Sequence, residues 1–332
     1  MLENSEIYYI YSNIGEMNSD DFAIEVNDLV KSYDGKSNQV DHLNFKVPYG
    51  EVYGLLGKNG AGKTTTIKIL TTLIQQNSGS AKICGIDVKK KPNGVRKIIG
   101  VVQQNESFDF TTVEKSFYIY GLLWEIPKST VTQRASELME LFDLNEIRNR
   151  RMFELSGGQK KRVQVAREFI HDMRVLFLDE PTVGMDPIMR REILNYIREK
   201  SKEGLTVLFT THILEEADYL CKKIGMINKG KMVAEGRSEE LKEKFESMRK
   251  LAITSREPVD KNLKSTLMKK LSQMQTNIEF EVENKQITVI GKDMGRILPE
   301  VIQIVNSLSI EIDQVVLDNP SLDDVFIEVM KG

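Results

Sequence analysis

The segment GKNGAGKT at residues 57–64 stands between a predicted strand and a predicted helix. The apolar residues 51–56 favour a buried strand, and residues 63–73 favour a helix. The segment fits the pattern G-x-x-x-x-G-K-[ST], in which backbone N–H groups turn inward around phosphates and the helix N-terminus adds a favourable dipole. An ordinary glycine-rich turn is the alternative, but the flanking strand and helix favour a phosphate-binding loop.

Two side chains of this loop have the chemistry that a nucleoside triphosphate requires. Lys63 would reach the β- and γ-phosphates, and Thr64 would place its hydroxyl on Mg²⁺. The surrounding backbone is expected to enclose the phosphates. The predicted nucleotide-binding residues of the loop are Gly57, Lys58, Asn59, Gly60, Ala61, Gly62, Lys63, Thr64 and Thr65.

A second segment, VLFLDE at residues 175–180, predicts a buried strand that ends in two acids. In open α/β sheets, ligands bind beyond the carboxyl ends of the strands, so Asp179 is placed to join a Mg²⁺ shell. Glu180 is then the candidate general base for an attacking water. Acids before a proline, here Pro181, can also form a simple turn, but a phosphate loop in the same chain favours the catalytic interpretation.

Apolar strands and helices alternate over residues 22–248, which predicts an α/β domain with a parallel sheet after a tail at residues 1–21. Its strands are predicted at residues 24–30, 40–47, 51–56, 96–102, 175–178 and 206–211. Leu, Phe and Tyr without β-branched runs indicate an inserted helical subdomain at about residues 105–155. Residues 249–332 follow the order β-α-β-β-α-β, which is typical of a small split βαβ accessory domain of the α+β class.

Charge and composition limit the classes of function. The chain has 46 basic and 49 acidic side chains, a near balance that argues against a nucleic-acid binder with a large basic surface. Its two cysteines form neither a disulfide framework nor a CxxC metal site, as expected in a reducing compartment. Residues 1–21 lack Lys and Arg, and so lack the basic flank of a signal peptide. Because no apolar run approaches the roughly 18 residues of a membrane helix, a membrane role requires a partner.

A third segment, LSGGQ at residues 155–159, precedes a predicted helix over about residues 160–169. Ser156 and Gln159 satisfy the S-x-x-Q capping box, which is the purely structural explanation. Gly157 and Gly158 disfavour a first helical turn by about 1 kcal/mol each relative to alanine, and a capping box does not require them. We therefore expect this bare backbone to approach an anion such as a phosphate.

Together, these three segments resemble the motifs of the ATP-binding cassette (ABC) transporter ATPases, whose signature is LSGGQ. The resemblance spans about residues 22–236, and the motifs stand in the family's order. Residues 57–64 match the Walker A loop, and residues 175–180 match the Walker B strand with its catalytic glutamate. The resemblance implies a P-loop NTPase core that binds and hydrolyses ATP with Mg²⁺.

The resemblance also implies roles for isolated residues. Tyr33 matches the aromatic that stacks on adenine, although it could be an ordinary surface aromatic. Gln104 matches the glutamine that links the metal site to the helical subdomain. Asp186, which is also a good helix N-cap before Pro187, matches the D-loop. His212 matches the switch histidine that senses the γ-phosphate, although a histidine after a strand is more often structural. The predicted catalytic residues are Glu180, His212 and Gln104, and the predicted metal ligands are Thr64, Gln104 and Asp179.

Departures from the family pattern are mild. Met185 replaces the more usual leucine, and Lys58 and Gln103 stand where proline is common. Residues 160–162, KKR, are more basic than in many relatives. None of these positions has an expected chemical role.

In this family, ATP bound to the Walker A loop of one copy is covered by the signature helix of another. The chain contains one of each, so a second copy, identical or closely related, is expected to supply the complement. The residues expected to contact the partner's nucleotide are Ser156, Gly157, Gly158, Gln159 and Asp186.

Residues 319–326, NPSLDDVF, resemble the end of ABC-2-type exporter ATPases, the drug-resistance branch. This implies a cytoplasmic subunit, peripheral on the inner face of the membrane, that energises export of drugs, antibiotics, peptides or lipids through ABC-2-type permease subunits. The accessory domain could instead merely buttress the ATPase dimer.

Two other functions are compatible with parts of the sequence. A soluble ABC ATPase acting on DNA or ribosomes is the alternative, but such proteins usually carry two cassettes or long coiled coils, and no nucleic-acid partner is expected. A regulatory module without ATPase activity conflicts with the intact Lys63, Asp179 and Glu180.

Aromatic residues are frequent just after Gln104. A small helical core is the simpler explanation, but some of them could line a groove that receives a short helix from a membrane subunit. These residues are Phe108, Phe110, Phe117, Tyr118, Tyr120 and Trp124.

Overall fold

The computed structural model describes residues 22–104, 110–244, 249–274, 278–291, 294–318 and 321–330. The expected tail at residues 1–21, together with Phe108, Asn319 and Pro320, therefore lies outside the described residues. The chain divides into two compact units, residues 1–236 and 237–332. The helix Ser238–Lys244, which the sequence patterns assign to the ATPase domain, falls in the second unit.

The first unit combines strands and helices along its whole length. Its strands are β1 (Phe22–Ser32), β2 (Asn38–Pro48), β3 (Val52–Leu56), β4 (Ser78–Ile83), β5 (Ile86–Asp87), β6 (Ile99–Val102), β7 (Val175–Asp179), β8 (Thr206–Thr210), β9 (Lys223–Asn228) and β10 (Lys231–Gly236). Its helices are α1 (Lys63–Leu70), α2 (Pro92–Arg96), α3 (Val113–Leu123), α4 (Lys128–Leu141), α5 (Gly157–Glu168), α6 (Pro187–Lys202) and α7 (Leu214–Leu220), with 3₁₀ turns at Asn145–Ile147 and Met152–Glu154.

A six-stranded sheet with the order β10-β9-β3-β8-β7-β6 forms the centre of this unit. Strands β9, β3, β8, β7 and β6 run parallel, and β10 is antiparallel to β9. Every residue of β3, β7 and β8 is buried, as expected of parallel strands covered on both faces. The predicted parallel α/β core is confirmed. The loops after β3, β6, β7 and β8 consequently lie at one edge of the sheet.

The first two predicted strands belong to a separate antiparallel sheet with the order β2-β1-β4-β5. Buried side chains alternate with exposed ones along much of β2, which is the pattern of a sheet with one covered face. Ile24 and Leu43 of this sheet share a hydrophobic cluster with Leu55 and Phe177 of the parallel sheet. The two sheets of the first unit are therefore held together by one core.

The strand predicted at residues 96–102 begins later than expected. Arg96 is the last residue of α2, and β6 starts only at Ile99. Pro92 stands at the start of α2, where its fixed φ favours a helix. The Nε atom of Arg96 donates to the hydroxyl of Thr72 at 2.7 Å, which holds this short helix against the end of α1.

Helices α3, α4 and α5 pack on one another; α3 and α4 lie within the helical subdomain predicted at about residues 105–155, and α5 begins just after it. Thr112 caps α3 by accepting a hydrogen bond from the backbone N–H of Lys115. Phe117 is fully buried and therefore belongs to the subdomain's core. Gly121 lets α3 approach α4 closely, because a Cβ atom there would come within 2.3 Å of Val131.

The second unit contains an antiparallel sheet with its own core. Its elements are α8 (Ser238–Lys244), β11 (Arg249–Ser255), α9 (Lys261–Ser272), β12 (Ile278–Glu283), β13 (Gln286–Gly291), α10 (Met294–Ser307), β14 (Ile312–Asp318) and α11 (Leu322–Val329). The strand order is β12-β13-β11-β14, and the predicted split βαβ arrangement is confirmed. Leu251 and Val289 of the sheet pack in one cluster with Leu267 of α9 and Val301 of α10. Across both units, no helix in the described residues is long and apolar enough to cross a membrane.

His171 joins the helical subdomain to the parallel sheet. Its ring stacks on Trp124 at the end of α3, with 3.8 Å between ring centroids and 5° between planes. Its Nε2 atom lies 3.3 Å from the carbonyl oxygen of Ile99 at the start of β6. Burial lowers the pKa of His171 to about 4. The imidazole is therefore neutral in the folded protein at neutral pH.

We expect this histidine to make the fold sensitive to mild acid. Between pH 6.5 and about 4 the unfolded chain binds a proton at His171 that the folded chain excludes, so the free energy of unfolding falls as the pH is lowered. From pH 7.5 to pH 5 this residue should remove about 2 kcal/mol. His171→Phe keeps a ring against Trp124 and should abolish that part of the loss in urea unfolding at the two pH values. An identical acid loss in the variant and the natural protein would contradict the assignment.

Candidate active site

The phosphate loop connects β3 to α1, and two of its glycines have no possible substitute. A Cβ atom on Gly57 would lie 2.5 Å from the carbonyl oxygen of Ile227. Gly62 has a φ of +110°, and a Cβ atom there would lie 2.5 Å from the carbonyl oxygen of Gln39. The loop therefore passes so close to neighbouring backbone that only glycine fits at these two positions.

Neighbouring segments fix the loop from outside. The side-chain amide of Gln39 donates to the carbonyl of Gly60 at 2.7 Å. The backbone N–H of Gly230, in the turn between β9 and β10, donates to the carbonyl of Ala61 at 2.9 Å. Within the loop, the backbone N–H of Ala61 donates to the carbonyl of Lys58 at 3.0 Å, so bonds inside and outside the loop fix its shape.

Lys63 is the first residue of α1, and its side chain is buried within the loop. Its Nζ atom donates to the carbonyl of Gly57 at 2.6 Å and to that of Lys58 at 3.3 Å. Burial lowers the pKa of Lys63, and the nearby carboxylates of Glu180 and Asp179 act in the opposite direction. The ammonium is thus held at the centre of the loop, where phosphates would arrive.

The Asp179 carboxylate joins the loop to two strands. One oxygen accepts from the hydroxyl of Thr64 at 2.8 Å, and the other accepts from the hydroxyl of Thr210 at 2.6 Å. Thr210 is the last residue of β8 and pairs in register with Asp179 at the end of β7. The sequence analysis does not include Thr210 among the site residues. A threonine at the end of a buried strand can be identified as a candidate only when β8 is known to lie beside β7.

The three predicted catalytic residues meet at the Glu180 carboxylate, which Gln104 and His212 both approach. The side-chain amide of Gln104 donates to one carboxylate oxygen at 3.1 Å. The Nδ1 atom of His212 lies 3.6 Å from the other oxygen. The φ of Glu180 is +51°, a left-handed conformation that a non-glycine residue adopts at an energetic cost. The backbone N–H of Glu180 donates to the carbonyl of Thr210 at 3.1 Å, which helps to hold this conformation.

The signature segment begins α5 as a complete capping box. The backbone N–H of Ser156 donates to the side-chain oxygen of Gln159 at 3.0 Å, and the N–H of Gln159 donates to the hydroxyl of Ser156 at 3.2 Å. Gly157 has open space where a Cβ atom would stand. At Gly158, by contrast, a Cβ atom would lie 2.1 Å from the carbonyl oxygen of Gly184. Packing within the chain therefore already requires glycine at position 158, whereas phosphate contact at both glycines stays a prediction.

Asp186 caps α6, and two residues near it link this helix to the loop after β8. The Asp186 carboxylate accepts from the N–H of Met189 at 3.0 Å, which lowers the pKa of Asp186. Arg190 approaches the carbonyl of Met185 with Nη2 and the Glu216 carboxylate with Nε, each at 3.4 Å. That carboxylate accepts from the hydroxyl of Thr211, the residue before His212, at 2.6 Å. Neither Arg190 nor Glu216 could be identified from the sequence, because their contact depends on how two helices pack.

The predicted site residues therefore form separate groups. Lys63, Thr64 and Asp179 meet at the phosphate loop, beside the cluster around Glu180. Tyr33 lies after β1 and is 63% exposed, with the ammonium of Lys31 5.3 Å from its ring centroid. Within the described residues, no hydrogen bond or ion pair joins the side chains of Tyr33, Ser156, Gln159 or Asp186 to that of Glu180.

Comparisons with known proteins agree with this geometry. The family model described as ABC transporter matches residues 40–183. The doxorubicin resistance ATP-binding protein DrrA of Mycobacterium tuberculosis is 38% identical over 313 residues, which cover 94% of each chain. The daunorubicin/doxorubicin resistance ATP-binding protein DrrA of Streptomyces peucetius is 41% identical over 221 residues, or 66% of this chain and 67% of that protein. A solved structure of an ATP-binding subunit of an ABC transporter is 26% identical, with a TM-score of 0.63 over 67% of this chain and 93% of that chain.

The two signature glycines should respond differently to alanine. Gly158→Ala forces the backbone at Gly184 to move and should lower the free energy of unfolding of the nucleotide-free chain by about 1–3 kcal/mol. Gly157→Ala meets open space and should raise that free energy by up to about 1 kcal/mol through helix propensity. Urea unfolding without nucleotide measures both effects, and equal destabilisation by the two variants would contradict the packing assigned to Gly158.

Proposed function

This chain belongs to the ABC transporter family of ATP-binding subunits, and we propose that its ATP hydrolysis drives an ABC-2-type membrane exporter. The observation that carries the proposal is the Glu180 carboxylate, which Gln104 and His212 contact beside the buried Lys63 and Asp179. The relatives named for drug resistance support the export function, because the M. tuberculosis match covers 94% of this chain and so extends through both units.

Each residue around the phosphate loop has a distinct part in hydrolysis. Lys63 binds the β- and γ-phosphates together with the N–H groups of the loop. Glu180 accepts a proton from the water that attacks the γ-phosphate and orients this water. Gln104 and His212 hold the Glu180 carboxylate, and His212 also contacts the γ-phosphate. Tyr33, an exposed residue after β1, stacks on adenine.

The oxygens at the loop have the chemistry that Mg²⁺ requires. The Thr64 hydroxyl and the Asp179 carboxylate are hard oxygen donors that lie 2.8 Å apart, which is the ligand chemistry that Mg²⁺ prefers. We expect Thr64, Asp179 and the side-chain oxygen of Gln104 to hold Mg²⁺. When bound, the ion supplies positive charge against the phosphates.

The hydrolysis site is completed by a second copy, identical or closely related. The signature residues Ser156 to Gln159 cover ATP that is bound to the partner's phosphate loop. Gly157 has open space at the N-terminus of α5, a twelve-residue helix whose dipole favours an anion. Asp186 belongs to the same partner-facing surface, because the backbone of Gly184, two residues earlier, packs against Gly158.

A groove of mixed polarity beside the glutamine segment suits a short amphipathic helix from a permease subunit. It has a volume of about 800 Å³ between α3 and the start of β6, and its lining combines Leu73, Leu123 and Trp124 with the charged Arg96 and Glu125. Leu73 and Leu123 are 51% and 72% exposed, which gives the groove the exposed apolar surface typical of interaction sites. We propose that this groove binds the permease and that the subunit is peripheral on the inner face of the membrane.

The structure limits which aromatic residues after Gln104 are candidates for contact with a permease helix. Phe117 is fully buried, and Trp124 stacks on His171, so both rings have structural partners. Phe110 is 81% exposed and lies 6.4 Å from the ring of Phe153. Phe110 therefore stays a candidate for permease contact, together with the groove leucine Leu123.

Replacing the proposed base should separate ATP binding from ATP turnover. Glu180→Gln keeps the size of the side chain but cannot accept the proton, so phosphate release should fall by about 10²- to 10⁴-fold. ATP affinity should persist, and an ATP-bound dimer should accumulate in size-exclusion chromatography. Glu199→Gln changes an exposed glutamate on α6 and serves as the control. Normal phosphate release from Glu180→Gln would refute the base assignment.

Shortening the groove leucine should weaken assembly rather than catalysis. Leu123→Ala removes apolar surface, so co-purification with the cognate permease subunit should fall while the ATPase rate of the isolated subunit is retained. Leu141→Ala truncates another exposed leucine of the helical subdomain that lies outside the groove, and it should do neither. Equal permease capture by the two variants would argue against this docking site.

A further inference from the structure

Lys161 is a buried lysine in the second turn of α5. Its residue is only 8% exposed, and its Nζ atom donates to the backbone carbonyls of two consecutive residues, Gln103 at 2.5 Å and Gln104 at 3.1 Å. A buried ammonium group is strongly destabilising unless it is hydrogen-bonded. The two hydrogen bonds of Lys161 are therefore expected to persist in the folded protein. The bonds fix the backbone at the position from which Gln104 extends its side chain.

The same glutamine touches the proposed base. The side-chain amide of Gln104 lies 3.1 Å from the Glu180 carboxylate. A continuous series of contacts therefore runs from Lys161 on α5, through the backbone and side chain of Gln104, to Glu180 at the end of β7. Gln104 itself follows the short strand β6 and is exposed, so its position depends on such a contact from outside the strand.

The neighbouring Arg162 does not share this arrangement. Arg162 points to a different partner, the carboxylate of Asp143, at 3.2 Å. The basic run at residues 160–162 has no expected chemical role in the sequence, but the structure brings Lys161 to the backbone of the glutamine segment. Lys161 also lies about one helical turn after Gly157 and Gly158, the signature glycines at the start of α5.

We propose that Lys161 is a positioning residue for ATP hydrolysis, which holds Gln104 against Glu180 of its own chain. This proposal rests on the proposed function, in which Glu180 is the base. Lys161 acts in cis, whereas the signature residues at the start of the same helix act on the partner's nucleotide. The helix that covers one ATP molecule thereby also supports the catalytic carboxylate that hydrolyses the other.

The first test separates positioning from binding. Lys161→Met removes both donors and should lower kcat on the order of 10- to 100-fold with little change in ATP affinity or KM, because the phosphate loop is untouched. Lys161→Arg retains donors for the two carbonyls and should recover most of the rate. Lys202→Met removes the same charge from an exposed position on α6 and should behave like the natural protein. A natural kcat in Lys161→Met would overturn the proposal.

A double-mutant cycle tests whether Lys161 acts through Gln104. In a Gln104→Ala background the side chain that contacts Glu180 is already missing, so adding Lys161→Met should cause little further loss of kcat. If the two losses multiply instead, Lys161 does not act through Gln104. Should Lys161→Met fail to fold, Lys161→Gln, which keeps one donor on a shorter chain, is taken through the same cycle.

Mixed dimers distinguish action in cis from action on the partner. A mixture of Lys161→Met and Glu180→Gln chains contains dimers in which the only intact base lies on the chain without Lys161. If Lys161 acts in cis, this mixture hydrolyses no more ATP than its components do separately. Rescued hydrolysis would mean that Lys161 acts across the interface, which overturns the proposal.

The reciprocal mixture and the natural chain complete the test. Chains that carry both Lys161→Met and Glu180→Gln, mixed with the natural chain, should form dimers whose natural base remains active. An inactive mixed dimer would again contradict action in cis. If the natural chain itself hydrolyses no ATP, the proposed function fails, whereas a failure of Lys161 alone leaves it standing.

Discussion

The Asp179 carboxylate accepts one hydrogen bond from Thr64 on α1 and another from Thr210 on β8. Strands β3, β7 and β8 run parallel, so these three groups lie at the same edge of the sheet. A buried carboxylate without such donors would be strongly destabilising, and each hydroxyl is therefore fixed by the need to satisfy it. Glu180 follows directly and takes its unusual backbone conformation from this anchored strand end.

The charges at this edge bear on the proposal that a second copy completes the site. Lys63 supplies one buried positive charge, while Asp179 and Glu180 supply two negative ones. A nucleoside triphosphate adds further negative charge, so additional positive potential has to come from a cation and from a helix N-terminus. In the proposed dimer, the N-terminus of α5 from a second copy supplies part of it, because Gly157 leaves that helix end open.

The sequence predicts the parallel sheet and the phosphate loop well because both depend on local patterns, namely apolar strands and glycines at fixed spacing. The placement of β1 and β2 in a separate sheet depends on pairing with β4, which no local pattern specifies. Thr210, Lys161 and Glu216 escape prediction for the same reason: each is an ordinary residue type whose importance comes from a neighbour distant in sequence. The order of motifs locates Gln104 and His212, but only the fold brings both to one carboxylate.

Gly158 illustrates how packing and ligand contact can require the same residue. Its lack of a side chain lets the turn before α6 lie against the first turn of α5. Gly157 on one side of this contact has open space, and Asp186 on the other caps its helix while remaining exposed. In the proposed dimer, a ligand that contacts Gly157 from a second copy therefore meets a turn that is packed on the turn before α6. Arg190 connects α6 to Glu216, whose carboxylate accepts from Thr211 beside His212, and Lys161 connects α5 to the backbone of Gln104. Contacts within the chain thus link both groups that contact Glu180 to the proposed partner-facing surface.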